Sequence, residues 1–352
     1  MGRGVTEHEL LDAARAGDED AFARLVEPHR GLLHAHCYRM LGSVDDAEDA
    51  VQDALLRAWR AIARFEGRSA LRTWLYTIAT NVCLKAIERR PKLVLPVDYG
   101  PPTDPHEGTA PPLVESVWIE PYPDERLGLA EPLAGPEARY EQRESVELAF
   151  IAALQLLPAR QRAVLILRDV LGFSGEEVAE ALETTPDAVY SALQRAHKSV
   201  DARLPERSQQ ATLRALGDDG LREIVDAFVA AWERGDVDAV AGMLAREAVI
   251  AMPPMPTWYQ GREAFVAFLR RVPMAPGRRW RVLPTRASGQ LAFGFYLWSE
   301  EARAFAQHSV IVLAMDGARI AELVAFLEPE SFGHFDLPAE WSASAVADGR
   351  GG

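Results

Sequence analysis

The sequence predicts a multidomain chain: two all-α domains, the second a helix-turn-helix, joined by a proline-rich acidic linker and followed by an α+β domain. Three observations carry this expectation. Apolar residues recur with helical spacing over residues 6–91 and again from 145 to 204. Between them, residues 93–144 hold ten prolines and no sustained periodicity. Beyond residue 218, two amphipathic helical patterns give way to strand-like runs at 248–252, 279–285, 290–298, 304–314 and 319–327. A length of 352 residues accommodates two or three domains, each large enough to bury a core.

Composition excludes several classes. At 48% hydrophobic and 26% charged residues the balance is that of a globular chain. No run of about 18 uncharged apolar residues occurs, so no membrane-spanning helix is expected. The N-terminus turns acidic at Glu7 without an apolar core, which predicts no signal peptide. The two cysteines, Cys37 and Cys83, fall on helical patterns without metal-ligand spacing. A disulfide scaffold and a zinc finger are thereby excluded, and a reducing cytoplasm fits. The net charge of −14 hides a strong polarity along the chain. Residues 1–56 are net −7, 57–92 net +7 and 93–144 net −8, so distinct segments are expected to meet distinct partners.

In the first domain, 1–92, the clearest helix follows Ser43. Ala47, Ala50, Val51, Ala54, Leu55, Ala58 and Trp59 form one apolar face, Ser43 is placed to cap it, and Asp45 and Asp46 suit the positive end of its dipole. The linker, 93–144, reads as extended and acidic, with one aromatic island, Trp118-Ile119-Glu120-Pro121-Tyr122-Pro123-Asp124. The second helical domain, 145–207, breaks at Leu157-Pro158 and at Gly172. Within it Ser174 and Glu177 have capping-box spacing, and the helix they open buries Val178, Ala179 and Leu182. A tight turn at Glu183-Thr184 leads to Thr185 as cap and Pro186 at the first helical position. The next helix buries Val189, Leu193 and Ala196 and exposes Asp187, Ser191, Gln194, Arg195 and Lys198. This is the pattern of a helix-turn-helix, although these residues alone also allow a plain helical hairpin. The third domain, 218–341, opens on Leu221, Ile224, Val225, Phe228 and Trp232, and Asp316-Gly317 marks a hairpin between its last two strands. The small polar tail, 342–352, is expected to be disordered.

The runs Asp45-Asp46-Ala47-Glu48-Asp49-Ala50-Val51-Gln52-Asp53-Ala54-Leu55-Leu56-Arg57-Ala58-Trp59 and Phe65-Glu66-Gly67-Arg68-Ser69-Ala70-Leu71-Arg72-Thr73-Trp74-Leu75-Tyr76-Thr77-Ile78-Ala79-Thr80-Asn81 resemble the bacterial extracytoplasmic-function sigma factors. The resemblance covers residues 22–91 for the first sigma domain and 147–204 for the second. It implies that Asp45, Glu48, Asp49, Gln52 and Asp53 dock on the clamp helices of the largest polymerase subunit. The residues alone would equally suit a solvated helix face. The adjoining segment is then expected to read the promoter −10 element, where unpaired bases need aromatic platforms, polar groups for their edges and cations for the phosphates. Phe65, Gly67, Ser69 and Ala70 match the loop in which the family captures a flipped base, and Asn81 matches a polar residue of that pocket. Thr77, Asn81, Lys85 and Arg89 lie four apart along one helix face. Trp74 is placed either to stack on a base or to join a core with Leu71, Leu75 and Ile78. For the −35 element the resemblance implies Thr185, Pro186, Asp187, Ser191, Gln194, Arg195 and Lys198. Tyr190 and Ala192 stand where many relatives carry cations, which weakens the expected phosphate contact.

The third domain resembles the SnoaL-like, nuclear-transport-factor-like α+β cone that a subset of these sigma factors carries. Its cavity is expected to be lined by Met252, Trp258, Tyr259, Phe293, Phe295, Trp298 and His308. Some cone relatives are cyclases or isomerases with a His or Asp in an apolar cavity. Here His308 lies in a strand and Asp316 in a turn, so no acid–base pair stands out, and no catalytic residue, metal or cofactor is expected. The resulting expectation is an alternative sigma factor, not an enzyme, whose activity is modulated by its own cone. Its implied partners are core RNA polymerase (the clamp helices and the flap of the second-largest subunit) and promoter DNA. A small-molecule ligand of the cone and a separate anti-sigma protein are further partners the resemblance leaves open. The alternatives are a DNA-tethered enzyme or ligand sensor using the cone cavity, and a ligand-responsive repressor using only the helix-turn-helix.

Overall fold

The computed structural model describes residues 6–67, 69–113, 118–127, 141–327 and 329–342. The chain divides into two compact units. The helical unit takes the described residues of Met1–Lys92 and Arg126–Leu204, and the α+β unit those of Leu93–Glu125 and Pro205–Gly352.

Five helices make the first part of the helical unit: α1 (Glu7–Arg15), α2 (Glu19–Val26), α3 (Arg30–Leu41), α4 (Val44–Ala61) and α5 (Leu71–Ile87). Local chemistry sets their ends. Thr6 and Glu9 form a capping box on α1, Asp18 caps α2 and Ser43 caps α4. Helix α3 ends at Gly42, which adopts φ +78°. Helix α3 is the central one: Leu33 through Leu41 are all buried, including His36 and Arg39. The His36 Nε2 lies 2.9 Å from the Thr80 hydroxyl of α5, and its ring meets the Tyr76 ring edge-on at 5.2 Å.

The second part adds α6 (Leu148–Leu156), α7 (Ala159–Leu165), α8 (Gly175–Ala181) and α9 (Pro186–Asp201), with one π-helical stretch at Ile166–Val170 after α7. It is not a free-standing domain on a tether. Arg162 of α7, 3% exposed, donates to the Met40 carbonyl at the end of α3 and to the Gln155 side chain, and reaches the Gln155 and Leu157 carbonyls at 2.8 and 3.3 Å. The Gln155 amide donates to the Arg39 carbonyl at 3.2 Å, and the Arg39 guanidinium donates to the Ser145 hydroxyl at 2.6 Å. A Cβ at residue 42 would lie 3.1 Å from the Gln155 side chain, so Gly42 serves both the left-handed turn and this close approach.

The α+β unit is a seven-stranded sheet: β1 (Leu244–Ala251), β2 (Trp258–Gln260), β3 (Trp280–Ala287), β4 (Gln290–Ser299), β5 (Ala304–Asp316), β6 (Arg319–Phe326) and β7 (Glu340–Ser342). Strand order is β2-β1-β6-β5-β4-β3, with β7 paired to the start of β5. Strands β1 and β6 are parallel and the other neighbours antiparallel. The helices α10 (Gln209–Arg234), α11 (Val237–Met243) and α12 (Arg262–Arg271) contribute Phe228, Trp232, Val240, Phe265 and Leu269 to one core with the strands. The five strand-like runs of the sequence correspond to β1, β3, β4, β5 and β6, and Asp316 pairs with Arg319 across the expected hairpin.

Two expectations are corrected. The segment 93–125 is not an extended tether: Leu93, Leu95, Trp118, Ile119 and Tyr122 are buried, and the chain is fastened to the α+β unit. Trp118 Nε1 donates to the Pro254 carbonyl at 2.9 Å, Thr103 N to the Trp258 carbonyl at 2.8 Å and Gly289 N to Asp124 at 2.7 Å. The acidic average concealed apolar anchors spaced among the prolines, which bury without needing a regular hydrogen-bond ladder. The α+β unit also begins before residue 218. Ser208 caps α10 at Gln209, and a break at Gly217 (φ +68°) separates a first stretch from the predicted helix. That stretch escaped the periodicity because it buries Gln209 and Gln210, whose amides serve the Met315 and Gly289 backbone. The expected disordered tail falls, beyond Ser342, outside the described residues.

Burial, aided by the nearby Arg39, pushes the His36 imidazole down to about 3. Its folded value lies below the unfolded one, near 6.5, so protons favour the unfolded chain in that interval. Its contribution is complete above pH 6.5 and is lost as pH falls towards 3. Stability is therefore expected to drop by about 2–3 kcal/mol between pH 6.5 and 4.5 through His36. Urea unfolding at both pH values checks this against His36→Gln, whose loss should be smaller by that amount. His308, pushed down to about 4 by burial, is common to both proteins and cancels. Equal losses would show that His36 is not the titrating group.

Candidate functional site

Helix α4 buries Val44, Ala47, Ala50, Val51, Ala54 and Ala58, so its remaining positions define an outer face. Asp45, Asp49 and Gln52 are exposed on that face. Leu56 continues the same stripe and is 55% exposed, an apolar member that the charge pattern did not single out. The spacing i, i+4, i+7, i+11 was the signal that could have found it. The other two candidates are half-buried and engaged. Glu48 lies 3.4 Å from the Arg30 guanidinium and 3.9 Å from that of Arg126, and Arg57 clasps Asp53 at 2.7 and 3.0 Å. Asp46 pairs with Arg90.

After α4 the chain turns through Phe65 and Gly67 into α5. Phe65 does not present an open face. Its ring is buried, lies 4.8 Å from the Trp74 ring and is approached by the Arg15 guanidinium at 5.9 Å. Trp74, half-buried, is therefore Phe65's packing partner, and the pair fixes the loop. Gly67 adopts φ +73° with open space where a Cβ would be, so conformation and not room selects glycine. Ser69 is half-buried and Ala70, the last residue before α5, is exposed. Along α5, Thr77 returns its hydroxyl to the Thr73 carbonyl at 2.9 Å, while Asn81, Lys85 and Arg89 are exposed. A groove of about 310 Å³ between α4 and α5 is lined by Asp46, Asp49, Asp53 and Arg57 on one side and Lys85, Arg89 and Arg90 on the other. The structure thus brings the acidic stripe and the cationic stripe to the two walls of one groove.

The start of α5 is engaged within the unit. Arg72 spans the Tyr76 and Phe173 rings at 5.3 and 5.2 Å and donates to the Leu171 carbonyl at 3.0 Å. Thr73 donates to Glu177 at 3.2 Å. The carboxyl of Glu177 is held low first by the Ser174 backbone N–H, with which it completes the capping box of α8.

Helices α8 and α9 form the expected helix-turn-helix. Glu183 takes the left-handed position of the turn (φ +50°), Thr185 caps α9 at 3.3 Å and Pro186 occupies its first turn. Val189, Ala196 and Val200 are buried, and Thr185, Pro186, Asp187, Ser191, Gln194, Arg195 and Lys198 are exposed together on the outer side. Tyr190, 48% exposed, supports the fold: a Cβ at Gly175 would come within 3.0 Å of its hydroxyl, so its ring lies directly on the start of α8. His197 is bound to Asp169, which leaves Arg195 and Lys198 as the exposed cations of α9 among the described residues.

The cone encloses a cavity of about 250 Å³, walled by Met252, Phe268, Trp280, Phe295, Ile311 and Leu323 among others. Of the residues expected there, Met252, Phe295 and His308 line it. Trp258, Tyr259, Phe293 and Trp298 do not. Phe293 packs on Phe228 at 4.6 Å, Tyr259 on Phe268 at 5.1 Å, and Trp298 against Phe305 and the Arg279 guanidinium. Trp258 donates its indole N–H to the Gly100 carbonyl at 2.9 Å. Trp232, Arg278 and Ser309 line the cavity and were not anticipated. No Asp or Glu is among its described lining residues, so His308 has no carboxylate partner there. No described helix is long and apolar enough to cross a membrane.

Comparison with known proteins accounts for each part of the chain. Residues 25–92 match the Sigma-70 region 2 family, 147–200 the Sigma-70 region 4 family and 225–323 the SnoaL-like domain family. The chain is 41% identical over 325 residues to the ECF RNA polymerase sigma factor SigG of Mycobacterium tuberculosis, covering 92% of this chain and 85% of that one. It is 42% identical over 80 residues to the ECF RNA polymerase sigma factor SigW of Bacillus subtilis, which covers 23% of this chain and 43% of the other. Its fold is similar to the crystal structure of the Mycobacterium tuberculosis extracytoplasmic function sigma factor SigJ, with a TM-score of 0.55, 22% identity, and coverage of 88% of this chain and 97% of that one.

Proposed function

The chain belongs to the ECF RNA polymerase sigma factors, and from that membership we propose how its surfaces divide the work of directing RNA polymerase to promoters. The observation that carries the division is the α4–α5 groove, with an acidic stripe on one wall and a cationic one on the other. Opposite charge on adjoining faces of one rigid helix pair suits two partners held side by side, a basic protein surface and a polyanion.

The α4 face, Asp45, Asp49, Gln52 and Leu56 with Glu48 and Asp53 at its flanks, docks on the clamp helices of the largest polymerase subunit. The α5 face reads the −10 element: Asn81 meets a base edge, Lys85 and Arg89 follow the phosphates, and Gly67, Ser69 and Ala70 form the rim of a flipped-base pocket. Phe65 and Trp74 hold that rim in place. Helix α9 meets the −35 element through Ser191, Gln194, Arg195 and Lys198, with Thr185, Pro186 and Asp187 at its leading end, and the second helical domain faces the polymerase flap. Two cations make this a modest phosphate contact. The cone modulates activity from within the same chain. The absence of a carboxylate beside His308, among the described lining residues, favours this regulatory reading over an enzyme.

Three outcomes test the division. Asp49→Arg with Gln52→Arg should weaken binding to purified core polymerase about tenfold or more, while exposed positions should leave unfolding within about 0.5 kcal/mol. Unchanged affinity in the folded double variant sinks the docking face. Asn81→Ala should relax preference at one −10 position, a loss of about 1 kcal/mol in discrimination. Lys85→Ala should weaken every sequence alike and lower the salt slope by about 0.7. Uniform weakening by both, with base preference intact, would show the pocket to be misplaced. Finally, a chain ending at Ser208 lacks the partners of Trp118, Tyr122 and Asp124, so its segment 93–125 loses its anchorage. Transcription in vitro should fall roughly tenfold or more at matched folded concentration. Identical output would remove the cone from regulation.

A further inference from the structure

The cone cavity carries two polar features that the domain's own packing does not use. Trp232, 3% exposed, lines it, and its indole N–H is buried without a hydrogen-bond partner among the described residues. The neighbouring Trp280 shows the contrast, since its N–H is satisfied by the Pro273 carbonyl at 2.6 Å. A buried donor left unpaired costs about 1–3 kcal/mol, so native interiors rarely keep one without a use.

The second feature is His308. On β5 the inward residues are Ser309, Ile311 and Leu313, so strict alternation would turn His308 to the opposite face. The pairing with β4 is interrupted at this point: Ser309 lies opposite Phe295 and Gln307 opposite Tyr296, which leaves His308 as the extra residue of a β-bulge. The bulge re-aims it, and His308 and Ser309 both line the cavity. Burial, with Arg278 adding to it, holds the imidazole down to about 4 and hence neutral. The Ser309 hydroxyl lies 3.2 Å from His308 Nδ1, close enough to donate to it and leave the ring proton on Nε2.

We propose that this cavity is a binding site for a compact, uncharged, mainly apolar molecule carrying one hydrogen-bond acceptor, of which a small cyclic ketone is the simplest case. The aromatic and aliphatic walls take its body. Its acceptor oxygen, with two lone pairs, takes the Trp232 indole N–H and the His308 Nε2–H. A neutral imidazole offers no counter-charge, so an anion entering the interior would lose its hydration without repayment.

Calorimetric titration of the full-length protein with three probes of one shape tests this: 2-tetralone, tetralin and 1,2,3,4-tetrahydro-2-naphthoate. The ketone should bind, the hydrocarbon roughly tenfold more weakly, and the carboxylate below detection. Trp232→Phe keeps the ring and removes the N–H, so it should bring the ketone to the hydrocarbon's affinity while leaving the hydrocarbon's unchanged. His308→Leu should lower ketone affinity severalfold, again sparing the hydrocarbon, and serves if Trp232→Phe does not fold. The proposal is overturned if no probe binds, if ketone and hydrocarbon bind alike, if the carboxylate binds best, or if the folded variants keep the wild-type preference for the ketone.

Discussion

The helical unit depends on one buried guanidinium. Arg162 meets four acceptors: the Met40, Gln155 and Leu157 carbonyls and the Gln155 side chain. The Met40 carbonyl lies in the last turn of α3, where helix carbonyls lack intrahelical donors and the dipole is negative, so a cation there is favoured twice. Burial lowers the Arg162 pKa to about 10, with Cys83 opposing, and the group remains charged at neutral pH. Its worth lies less in net attraction than in what its loss would leave. Each orphaned buried acceptor would cost about 1–3 kcal/mol. Gly42 and Gln155 are shaped around the same contact, one by its missing Cβ and the other by its two-ended amide.

Holding the end of α3 fixes what lies on either side of it. Helices α4 and α5 both pack on α3, so the acidic stripe and the cationic stripe are set by one buried helix. The second helical domain, docked on that same helix, also takes up the first turn of α5 through Arg72 and Thr73. Further along, Asn81, Lys85 and Arg89 stay exposed. The division runs along a single helix: its first turn is spent on the fold, and its later turns face solvent.

What was legible in the sequence was what local chemistry writes. The caps at Ser43, Ser174 and Thr185, the apolar face of α4 and the Asp316-Gly317 hairpin each depend on residues a few positions apart, and the structure has them all. The Arg162–Met40 contact joins residues 122 positions apart and left no periodic trace. The cavity was half legible. Alternation on β4 correctly turned Phe293 and Phe295 inward, but only the shape of the sheet decides that Phe295 meets open space while Phe293 meets Phe228. A bulge, likewise, is invisible to a period of two, which is why the pairing and not the pattern explains His308.

The segment 93–125 changes what the linker is. As a free acidic tether, all of 93–144 would give two promoter-reading domains a wide range of separations. With its first part fastened to the α+β unit, the chain passes between the two units at Lys92–Leu93, at Glu125–Arg126 and again at Leu204–Pro205. Two of these crossings bracket the fastened segment, so the path from the first sigma domain to the second runs through the cone. Releasing the segment would surrender the hydrogen bonds of Thr103, Trp118 and Asp124 and re-expose Trp118, Ile119 and Tyr122 to water. Thr109 of the same segment lines the cone cavity. Anything that stabilises the cavity in its closed form therefore also holds the segment down, and the reach between the two DNA-reading domains follows from how firmly the cone grips it.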